Sequence, residues 1–580
     1  MTAARKPAAA EAGDEFIERR GSPTTILLVN PAQLADAVRS AAVAALADRQ
    51  VDPSVLPSAV SLERPRIASH GDYASSLALQ VARKAGLPSR ELAQAIADKL
   101  TGNSAIRSVE IAGPGFLNIR LHAAAAGAIV GLIIQQGRAY GRGTGLAGQD
   151  VNLEFVSANP TGPVHLGSVR WAAVGDALAR LLRAQGAQVT AEYYFNDAGA
   201  QIDRFGDSLL AAACHQPAPD DGYMGDYVNE IADTVVKSHP GVLGLPSTEA
   251  AGIFRSEGVA LMFDEIKTSL ARFGVHFDVY FAEKDLHERG ELSAALEKLR
   301  QSGHVYEADG ATWVRTTRFG DDKDRVFIRA NGEFTYFAAD CAYYLDKRAR
   351  GFNKIIIVLG ADHHGYIGRM RAVAQCFGDD PDQTLEILIG QLVNLLQEGK
   401  PVRMSKRAGT IVTIGDVVGA IGVDATRYAL ARYSLDSPID LDLDIWTRRG
   451  NDNPVYYVQY AHARIASLDR KAAEAGITRG GQYDAGLLSH ARENDLLKLL
   501  AAFPGVVFSA AELRQPHRVA RYLEDLSAMY HRFHDECRIL PRGDGPIDDP
   551  GRARLWLADA TRTVLANGLE LLGVSAPERL

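Results

Sequence analysis

The pattern of apolar and polar residues is clearest between residues 151 and 195. VNLEFV at 151–156 is a short, β-rich apolar run, and the segment WAAVGDALARLLRAQG further on repeats apolar residues at helical spacing before Gly186 ends the pattern. A second apolar run, VTAEYYF at 189–195, follows directly. Strand, loop, helix and strand in this order form a βαβ unit, so the pattern predicts a parallel sheet.

Similar patterns mark the rest of the chain. Helical spacing covers 33–48 and 90–100, and LNIRL at 117–121 is strand-like. KIIIVLG at 354–360 predicts a further buried strand, whereas helical patterns dominate after residue 446. We therefore expect an α/β fold, with a parallel-sheet domain between an N-terminal α+β unit and a C-terminal all-α unit.

The length supports this division, because 580 residues exceed what one hydrophobic core can hold. The Ala-rich, polar segment 1–22 is predicted to be a disordered tail. The predicted domains are the N-terminal unit at 23–140, the parallel-sheet domain with insertions at 141–445 and the helical unit at 446–580.

A glycine-rich joint, GRGTGLAGQ, separates the first two domains at 141–149. It contains the spacing G-x-G-x-x-G at Gly143, Gly145 and Gly148. A dinucleotide-binding turn follows a strand and opens a helix, but these glycines precede a strand. We therefore interpret the segment as a linker.

Composition narrows the class of protein. With 47% hydrophobic and 23% charged residues, the chain is typical of soluble globular enzymes. The net charge of −8 argues against nucleic-acid binding through overall charge, although it leaves room for local basic faces. The four cysteines lie far apart, which fits reduced thiols in a cytosol better than disulfides.

Signals for membranes and metals are weak. The apolar run at 123–134 is well short of the ~20 residues that span a bilayer, and the first residues lack the apolar core of a signal peptide. His534 and Cys537 could share a helix face, but two candidate ligands do not make a zinc site. We expect a cytoplasmic enzyme with no membrane segment and no metal site of its own.

The stretch SANPTGPVHLGSVR at 157–170 lies between the first strand and its helix, where open parallel sheets bind ligands. Pro160 and Gly162 favour a tight loop, and Gly167 allows a flat base to approach the backbone. The helix N-terminus offers amide donors to phosphate, and His165 is placed to hydrogen-bond an α-phosphate. The pattern favours a nucleotide site, with a core histidine as the alternative.

A second signal lies downstream, in PVRMSKRAGT at 401–410. A loop of this kind can close over a triphosphate and place Lys406 on the leaving pyrophosphate. A solvated basic turn is the simpler interpretation of this segment alone. Together with the stretch at 157–170, however, it favours a nucleotide-binding enzyme.

These two segments resemble the HIGH and KMSKS signatures of class I aminoacyl-tRNA synthetases. The wider pattern is similar to the arginyl-tRNA synthetases of bacteria, through LEFVSANPTGPVHLG, FTYFAADCAYYLDK, GADHHGYI, YYVQYAHARI, LGVSAPERL and, near the N-terminus, HGDYAS and GPGFLNIRL. The resemblance implies a Rossmann-like catalytic domain with an N-terminal additional domain for the tRNA elbow. It also implies that the C-terminal unit is an anticodon-binding bundle.

The sequence departs from the family pattern at three positions. Ser168 stands where the HIGH signature has its final histidine, Arg403 replaces the first lysine of KMSKS, and the last residue is Leu580 in place of the usual methionine. Ser168 removes one phosphate-facing imidazole. Its share of transition-state stabilisation is then left to the serine hydroxyl, backbone amides and Lys406.

An arginine pocket must meet the guanidinium with carboxylates, because an unpaired buried cation is costly. Tyr336 and Asp340 are four residues apart on a predicted helix and share a face, and Glu154 could supply a second carboxylate. The resemblance assigns these three to arginine binding, Asn159 to the amino end of the substrate, and Asp362 to the loop around it. An ordinary, partly exposed helix turn is the alternative for Tyr336 and Asp340.

The resemblance further implies that ATP binds together with Mg²⁺. The expected ATP-binding residues are Pro160, Gly162, His165, Gly167, Gly360, His363, Met404, Ser405 and Lys406. The expected catalytic residues are His165, Ser168 and Lys406.

Aromatic and basic residues alternate in NDNPVYYVQYAHARIASL at 451–468, a mixture suited to stacking bases and holding phosphates. The expected tRNA-binding residues are Tyr457, Tyr460, His462 and Arg464 in this segment and Tyr73 in the N-terminal unit. Packing within a helical core is the alternative for the tyrosines.

The implied activity is ATP-dependent ligation of L-arginine to its cognate tRNA through an arginyl-adenylate, by a monomer in the cytoplasm. One rival is a small-molecule nucleotidylyltransferase, which would leave the large helical unit without a task. Another is a tRNA-binding module that has lost catalysis, with Ser168 as the lesion. The presence of the remaining motif residues argues against that second rival.

Overall fold

The computed structural model describes residues 31–57, 60–63, 65, 70–402, 412–481, 483–542 and 545–580. The chain forms two compact units. The first runs to Ile129 and includes 484–486, and the second contains 130–483 and 487–580.

The first unit is an α+β domain in which helices pack on a three-stranded antiparallel sheet of order β1–β3–β2. Its elements are α1 (Pro31–Ala47), β1 (Tyr73–Ser75), α2 (Leu77–Ala85), α3 (Ser89–Leu100), β2 (Ile106–Ala112) and β3 (Phe116–Leu121). Leu92, Ile96 and Leu100 recur at helical spacing along α3 and are fully buried in the core.

The second unit contains the remaining elements. In chain order they are α4 (Ala123–Gln136, which begins in the first unit), β4 (Asp150–Glu154), α5 (Leu166–Ala184), β5 (Gln188–Phe195), α6 (Ala200–Ala213), α7 (Asp226–Ser238), α8 (Ser247–Arg272), β6 (Val279–Ala282), α9 (Glu283–Glu288), α10 (Glu291–Gln301), β7 (Val305–Ala308), β8 (Ala311–Val314), β9 (Arg325–Ile328), α11 (Tyr336–Ala349), β10 (Lys354–Gly360), α12 (Tyr366–Cys376), α13 (Pro381–Thr384), β11 (Leu385–Gly390), β12 (Val393–Gln397), β13 (Lys400–Pro401), α14 (Ile414–Ile421), α15 (Val423–Ala431), β14 (Ile439–Asp442), α16 (Leu443–Thr447), α17 (Pro454–Glu474), α18 (Ala491–Glu512), α19 (His517–Glu536) and α20 (Asp549–Leu571).

The centre of this unit is a parallel sheet of five strands in the order β11–β10–β4–β5–β6. The predicted βαβ unit is confirmed as β4, α5 and β5, and the predicted strand at 354–360 is β10. Because β5 and β10 lie on opposite sides of β4, the strand order reverses at β4. Open parallel sheets bind ligands at such a switch point, beyond the carboxyl ends of the strands.

Two insertions interrupt the sheet; insertions were expected in this domain, but their positions and elements were not predicted. Helices α6 to α8 lie between β5 and β6, and an antiparallel sheet of β7, β8 and β9 follows β6. A smaller sheet, β13–β12–β14, follows the central one in the chain.

The C-terminal helices α17 to α20 pack against one another, and α18 and α20 also contact α5. This part of the chain is all-α, as predicted. Among the described residues, α18 is the one helix that is long and apolar enough to cross a membrane by length and composition alone. Core helices of soluble proteins pass the same test.

A buried arginine joins the C-terminal segment to the central sheet. The Arg427 side chain in α15 is fully buried and donates to the carboxylate of Asp176 in the middle of α5. It also donates to the carbonyl oxygens of Phe273, at 2.9 Å, and Leu572, at 3.2 Å. No side chain fits at Gly573, where a Cβ would lie 2.0 Å from the guanidinium.

Candidate active site

The loop after β4 has an unusual backbone. Val156 and Ser157 both have positive φ, 69° and 36°, although neither is a glycine. A β-branched residue rarely adopts this region, so the turn stores conformational strain of about 1–3 kcal/mol per residue. The Ser157 hydroxyl accepts a hydrogen bond from the Tyr194 amide at 3.1 Å, which ties the turn to β5.

Asn159 is held by two hydrogen bonds in the same loop. Its side-chain oxygen accepts from the Asn196 amide at 3.0 Å, and its side-chain nitrogen donates to Gln201 at 2.8 Å. The loop continues through Thr161, whose carbonyl accepts from the Tyr227 hydroxyl at 3.2 Å. These contacts fix the loop between β5 and the helical insertion.

His165 is the N-cap residue of α5, with extended backbone. Its imidazole lies directly over Gly167, where a Cβ would stand 3.2 Å from Cε1 and 3.3 Å from Nδ1. A glycine suits position 167 because the His165 ring packs against its backbone, where a side chain would crowd the ring.

The chain that follows the second signature, from Val412 to Ile414, pairs with the first signature. The Leu166 amide donates to the carbonyl of Val412 at 3.0 Å, and the Ile414 amide donates to the carbonyl of Val164 at 2.9 Å. On the other side of the signature, the Val402 amide donates to Leu395 at 2.8 Å. The predicted Met404, Ser405 and Lys406 lie outside the described residues, but the chain on their C-terminal side is paired with the His165 loop.

A cavity of about 230 Å³ opens at the carboxyl ends of β4 and β10. It is lined by Glu154, Ser157, Tyr194, Asp340, Tyr343, Tyr344, Lys347, Ile355, Ile357, Leu359, His363, Tyr366 and Met370. Carboxylates, tyrosines and aliphatic side chains together make an enclosed site that suits a cation on an apolar stem.

The structure brings Glu154 and Asp340 to this cavity, as the sequence predicted, but not as equal partners for a guanidinium. The Lys347 ammonium lies 2.5 Å from Glu154 and 4.1 Å from the centre of the Tyr343 ring. Both Glu154 and Lys347 are buried. The negative charge of Glu154 is already matched inside the protein by Lys347, and the assignment of Glu154 to arginine binding stays a prediction.

Glu192 extends this ion-pair network beneath the cavity. Its fully buried carboxylate accepts from Arg350 at 2.5 Å and 3.0 Å and from the Tyr343 hydroxyl at 2.5 Å. Although burial alone would raise the pKa of Glu192, these bonds and the charges of Arg350 and Lys347 bring that pKa below its ordinary value. Glu192 therefore stays charged and balanced.

Asp340 lines the cavity and makes no ion pair among the residues that the structure describes, although Arg369 is near enough to lower its pKa. Its Oδ1 accepts a hydrogen bond from the Tyr366 hydroxyl at 2.9 Å. The side chain is partly buried and lines the cavity. Burial raises the pKa of Asp340 to about 6, although the Tyr366 hydrogen bond and the nearby Arg369 oppose the shift.

Glu283 is a second acidic group near this point that the sequence analysis missed. It is the first residue of α9 and accepts a hydrogen bond from the hydroxyl of Tyr194. Its charge contributes to the raised pKa of Asp340, so the two carboxylates are near each other, although Glu283 does not itself line the cavity. The signal that could have found it is its place directly after β6, at the same edge of the sheet as Glu154.

Three predicted residues lie at the rim. Tyr336 begins α11 and is 72% exposed, outside the cavity lining, so its assignment to arginine stays a prediction. The Asp362 side chain is 83% exposed and lies 3.5 Å from His363, which does line the cavity. Gly360 ends β10, where a Cβ would lie 2.7 Å from the Asp362 carboxylate.

A larger cavity of about 700 Å³ lies on the other side of the His165 loop, against the helical insertion. Asn159, Gly162, His165 and the buried Ser168 line it together with Tyr227 and other insertion residues. Pro160, next to these residues in the chain, is buried. The HIGH-like segment thus separates a small acidic cavity from a larger polar one.

The predicted tRNA-binding residues divide into two groups. Tyr73 and His462 are each 5% exposed, and His462 Nδ1 lies 2.9 Å from the Pro577 carbonyl. Because such side chains offer no face to a base, packing is the better interpretation at these two positions. Tyr460 is 39% exposed, whereas Tyr457 and Arg464 are half-buried beside His531.

Gly167→Ala tests the close packing under the His165 imidazole, which the sequence predicts to be catalytic. The added methyl must push the His165 ring by a few tenths of an ångström. We expect kcat for adenylate formation to fall roughly 3- to 10-fold with little change in the arginine KM, because small misplacements of reacting groups are costly. Gly252→Ala in α8, where a Cβ meets nothing within 4 Å, is the matched control and should leave kcat unchanged. Equal kcat for both variants would contradict the assigned role of the ring.

Three family profiles match the chain in the order of its predicted domains. "Arginyl tRNA synthetase N terminal domain" matches residues 32–121, "tRNA synthetases class I (R), catalytic domain" matches 253–430, and "DALR anticodon binding domain" matches 458–580.

Relatives and solved structures agree with these profiles. The arginine–tRNA ligase of Kineococcus radiotolerans is 58% identical over 554 residues, which cover 95% of this chain and 100% of that protein. The fold is shared with the arginyl-tRNA synthetase of Thermus thermophilus (TM-score 0.72, 22% identity, 94% of this chain and 100% of that one). It is also shared with that of Plasmodium falciparum (TM-score 0.69, 16% identity, 96% and 100%). The chain therefore belongs to the arginyl-tRNA synthetase family of class I aminoacyl-tRNA synthetases.

Proposed function

We propose that this chain ligates L-arginine to its cognate tRNA through an arginyl-adenylate, with the arginine side chain bound in the acidic cavity. The observation that carries the proposal is the Asp340 carboxylate, which faces an enclosed cavity and has no ion pair among the described residues. A guanidinium is the cation that fits best, because its planar fork can meet a carboxylate with two parallel hydrogen bonds.

Glu283 is the second acidic group of this subsite in our proposal. Glu154 contributes indirectly, since its charge is matched by Lys347. The tyrosine hydroxyls of Tyr194 and Tyr366 each donate to one of the two remaining carboxylates and hold them in place. Lysine would fit less well, because a compact ammonium cannot bridge two separated acceptors as a planar guanidinium does.

In the first step the arginine carboxylate attacks the α-phosphate of ATP and pyrophosphate leaves. We assign His165 and the N-terminus of α5 to the charge that develops on the α-phosphate, with Ser168 nearby. Lys406 is assigned to the leaving pyrophosphate, because the chain that follows its loop pairs with the His165 segment. Gly360 and His363 would border the nucleotide from β10, and Mg²⁺ would enter with the triphosphate as part of the substrate.

In the second step a terminal ribose hydroxyl of the tRNA attacks the arginyl-adenylate. We assign tRNA binding to the helices α17 to α20, with Tyr457, Tyr460 and Arg464 on α17 as contacts. The partly exposed ring of Tyr460, stacked on Tyr456 at 6.1 Å, has the geometry that base stacking needs. We further propose that the enzyme acts as a cytoplasmic monomer.

Aminoacylation of tRNA transcripts tests the proposed function. With ATP and Mg²⁺ present, we expect arginine to be attached to tRNA that carries an arginine anticodon, and lysine or citrulline to be attached at least about 100-fold less efficiently. Transcripts with other anticodons serve as controls. A chain that binds tRNA but attaches no amino acid would instead support the non-catalytic alternative, and adenylyl transfer without tRNA charging would support a nucleotidylyltransferase.

A further inference from the structure

Tyr366 is the first residue of α12, directly after the loop that carries Asp362 and His363. Its hydroxyl reaches across to α11 and donates to Oδ1 of Asp340 at 2.9 Å. Both side chains line the acidic cavity. The two residues come from separate motifs and meet only in the folded protein.

The hydrogen bond matters because the carboxylate torsion of an aspartate is intrinsically soft. A bidentate grip on a guanidinium requires the carboxylate plane to match the plane of the ligand. A fixed donor on Oδ1 selects one orientation before the ligand arrives. Oδ2 and the second lone pair of Oδ1 remain available to the ligand.

The Tyr366 hydroxyl is a dependable donor. Burial raises the pKa of Tyr366 well above its ordinary value, and the charges of Asp340 and Glu154 raise it further. The phenol therefore keeps its proton throughout the pH range in which the enzyme works, and it cannot become a competing anion.

We propose that Tyr366 is a positioning residue for arginine recognition, whose hydroxyl orients Asp340 and favours its charged form. The inference rests on the proposed function, in that arginine must bind in this cavity. It adds a residue whose hydroxyl acts on the substrate through another side chain, Asp340.

The groups around Asp340 decide the direction of the pH effect. Burial raises its pKa, and the carboxylates of Glu283, on α9, and Glu154, on β4, raise it further. The Tyr366 hydroxyl and Arg369, both on α12, lower it. Tyr194, on β5, is a neutral phenol near Asp340, and its hydroxyl donates to Glu283. The balance places the pKa of Asp340 at about 6.

The charge of the ligand decides whether arginine affinity rises or falls with pH. Arginine is a cation and binds the ionised carboxylate, so its affinity is full above pH 6 and falls as the pH drops below that value. Removing the Tyr366 hydroxyl removes a group that lowers the pKa of Asp340. The midpoint of the pH dependence of arginine affinity must then move to higher pH, and affinity is lost first near and below neutrality.

Tyr366→Phe is the test, because it removes one oxygen and keeps the ring. We expect the arginine KM at pH 7 to rise roughly 10-fold, as for loss of a hydrogen bond to a charged group, with kcat at saturating arginine nearly unchanged. In calorimetric titrations of arginine between pH 5 and 8.5, the midpoint should rise by about half a unit or more. An unchanged midpoint would overturn the proposal, even if the KM had risen.

Tyr306→Phe is the matched control. Partial burial and a nearby carboxylate, that of Asp324, raise the pKa of the Tyr306 phenol as well, but this phenol lies on the antiparallel insertion and does not line the cavity. This variant should keep the wild-type KM and midpoint. A shift of the same size in both variants would mean a general effect of losing a phenol, and would overturn the proposal.

A double substitution separates this inference from the proposed function itself. If Tyr366 acts through Asp340, adding Tyr366→Phe to Asp340→Asn should raise the arginine KM by less than about 2-fold beyond the single variant. A full additional 10-fold loss would show that the two act independently. If Asp340→Asn alone left the arginine KM unchanged, the proposed arginine subsite would fail, whatever Tyr366→Phe did.

Discussion

Asp340→Asn is expected to raise the arginine KM by roughly 30-fold to several thousand-fold, which corresponds to about 2–5 kcal/mol for a buried, hydrogen-bonded charge pair that loses one partner. The asparagine keeps the size of the side chain and an oxygen that can accept from Tyr366. What it loses is the charge that meets the guanidinium. The fold should therefore survive while arginine recognition does not.

The measurement is arginine-dependent ATP–pyrophosphate exchange with tRNA present, in which the KM values for arginine and ATP are determined separately. The ATP KM should stay within about 2-fold of wild type, because the affected group faces the amino acid. Asp382→Asn is the control, since that carboxylate is 72% exposed and pairs with Arg371 at 2.7 Å. An unchanged arginine KM in Asp340→Asn would show that the guanidinium binds elsewhere.

Lys347→Met is expected to destabilise the folded protein by about 3–5 kcal/mol, the usual cost of leaving one member of a buried ion pair alone. Lys347 is 1% exposed and lies 2.5 Å from the buried Glu154. Methionine fills a similar volume but offers no charge. Glu154 would then keep a negative charge in an apolar environment, next to the strand that carries the active site.

Urea unfolding followed by circular dichroism measures this loss. The double variant Lys347→Met with Glu154→Gln should recover most of the free energy of unfolding, because the uncompensated charge is gone. Lys267→Met serves as the exposed control: its pair with Asp264 lies at the surface, and about 1 kcal/mol or less is expected. Equal losses for the two lysine variants would argue that the Glu154 pair is not buried in solution.

The parallel sheet was predictable because its strands carry apolar runs that end in loops rich in glycine and proline. KIIIVLG was located to the residue, and the order strand, helix, strand determined that β4 and β5 are parallel. The place of the site stays a prediction: the sequence puts it at the carboxyl ends of the strands, and the acidic cavity opens at the ends of β4 and β10.

The internal partners of the site could not be predicted in the same way. Lys347 lies 193 positions from Glu154 in the chain, and no local pattern states that the two will meet. Both carboxylates of the expected pocket were identified correctly as residues of one cavity. The allocation of their charges, one matched by lysine and one left for a ligand, depends on tertiary packing alone.

The aromatic residues were recognised in the sequence, but their pattern fitted two roles equally well. A tyrosine or histidine at helical spacing suits both a packed core and a stacking surface. Burial decides between them: Tyr73 and His462 belong to the core, whereas Tyr460 presents part of its ring to solvent. The sequence alone does not contain that distinction.

The buried guanidinium of Arg427 has a mechanical consequence. All three of its nitrogens donate hydrogen bonds, to Asp176 in the middle of α5 and to the backbone carbonyls of Phe273 and Leu572. A movement of Leu572 relative to α5 would break these bonds and leave an unpaired charge in the interior. Helix α5 and the segment around Leu572 are therefore expected to move as one rigid body. His165 caps the N-terminus of α5. A displacement that a bound tRNA imposed on the segment around Leu572 would therefore be transmitted along α5 to the His165 loop.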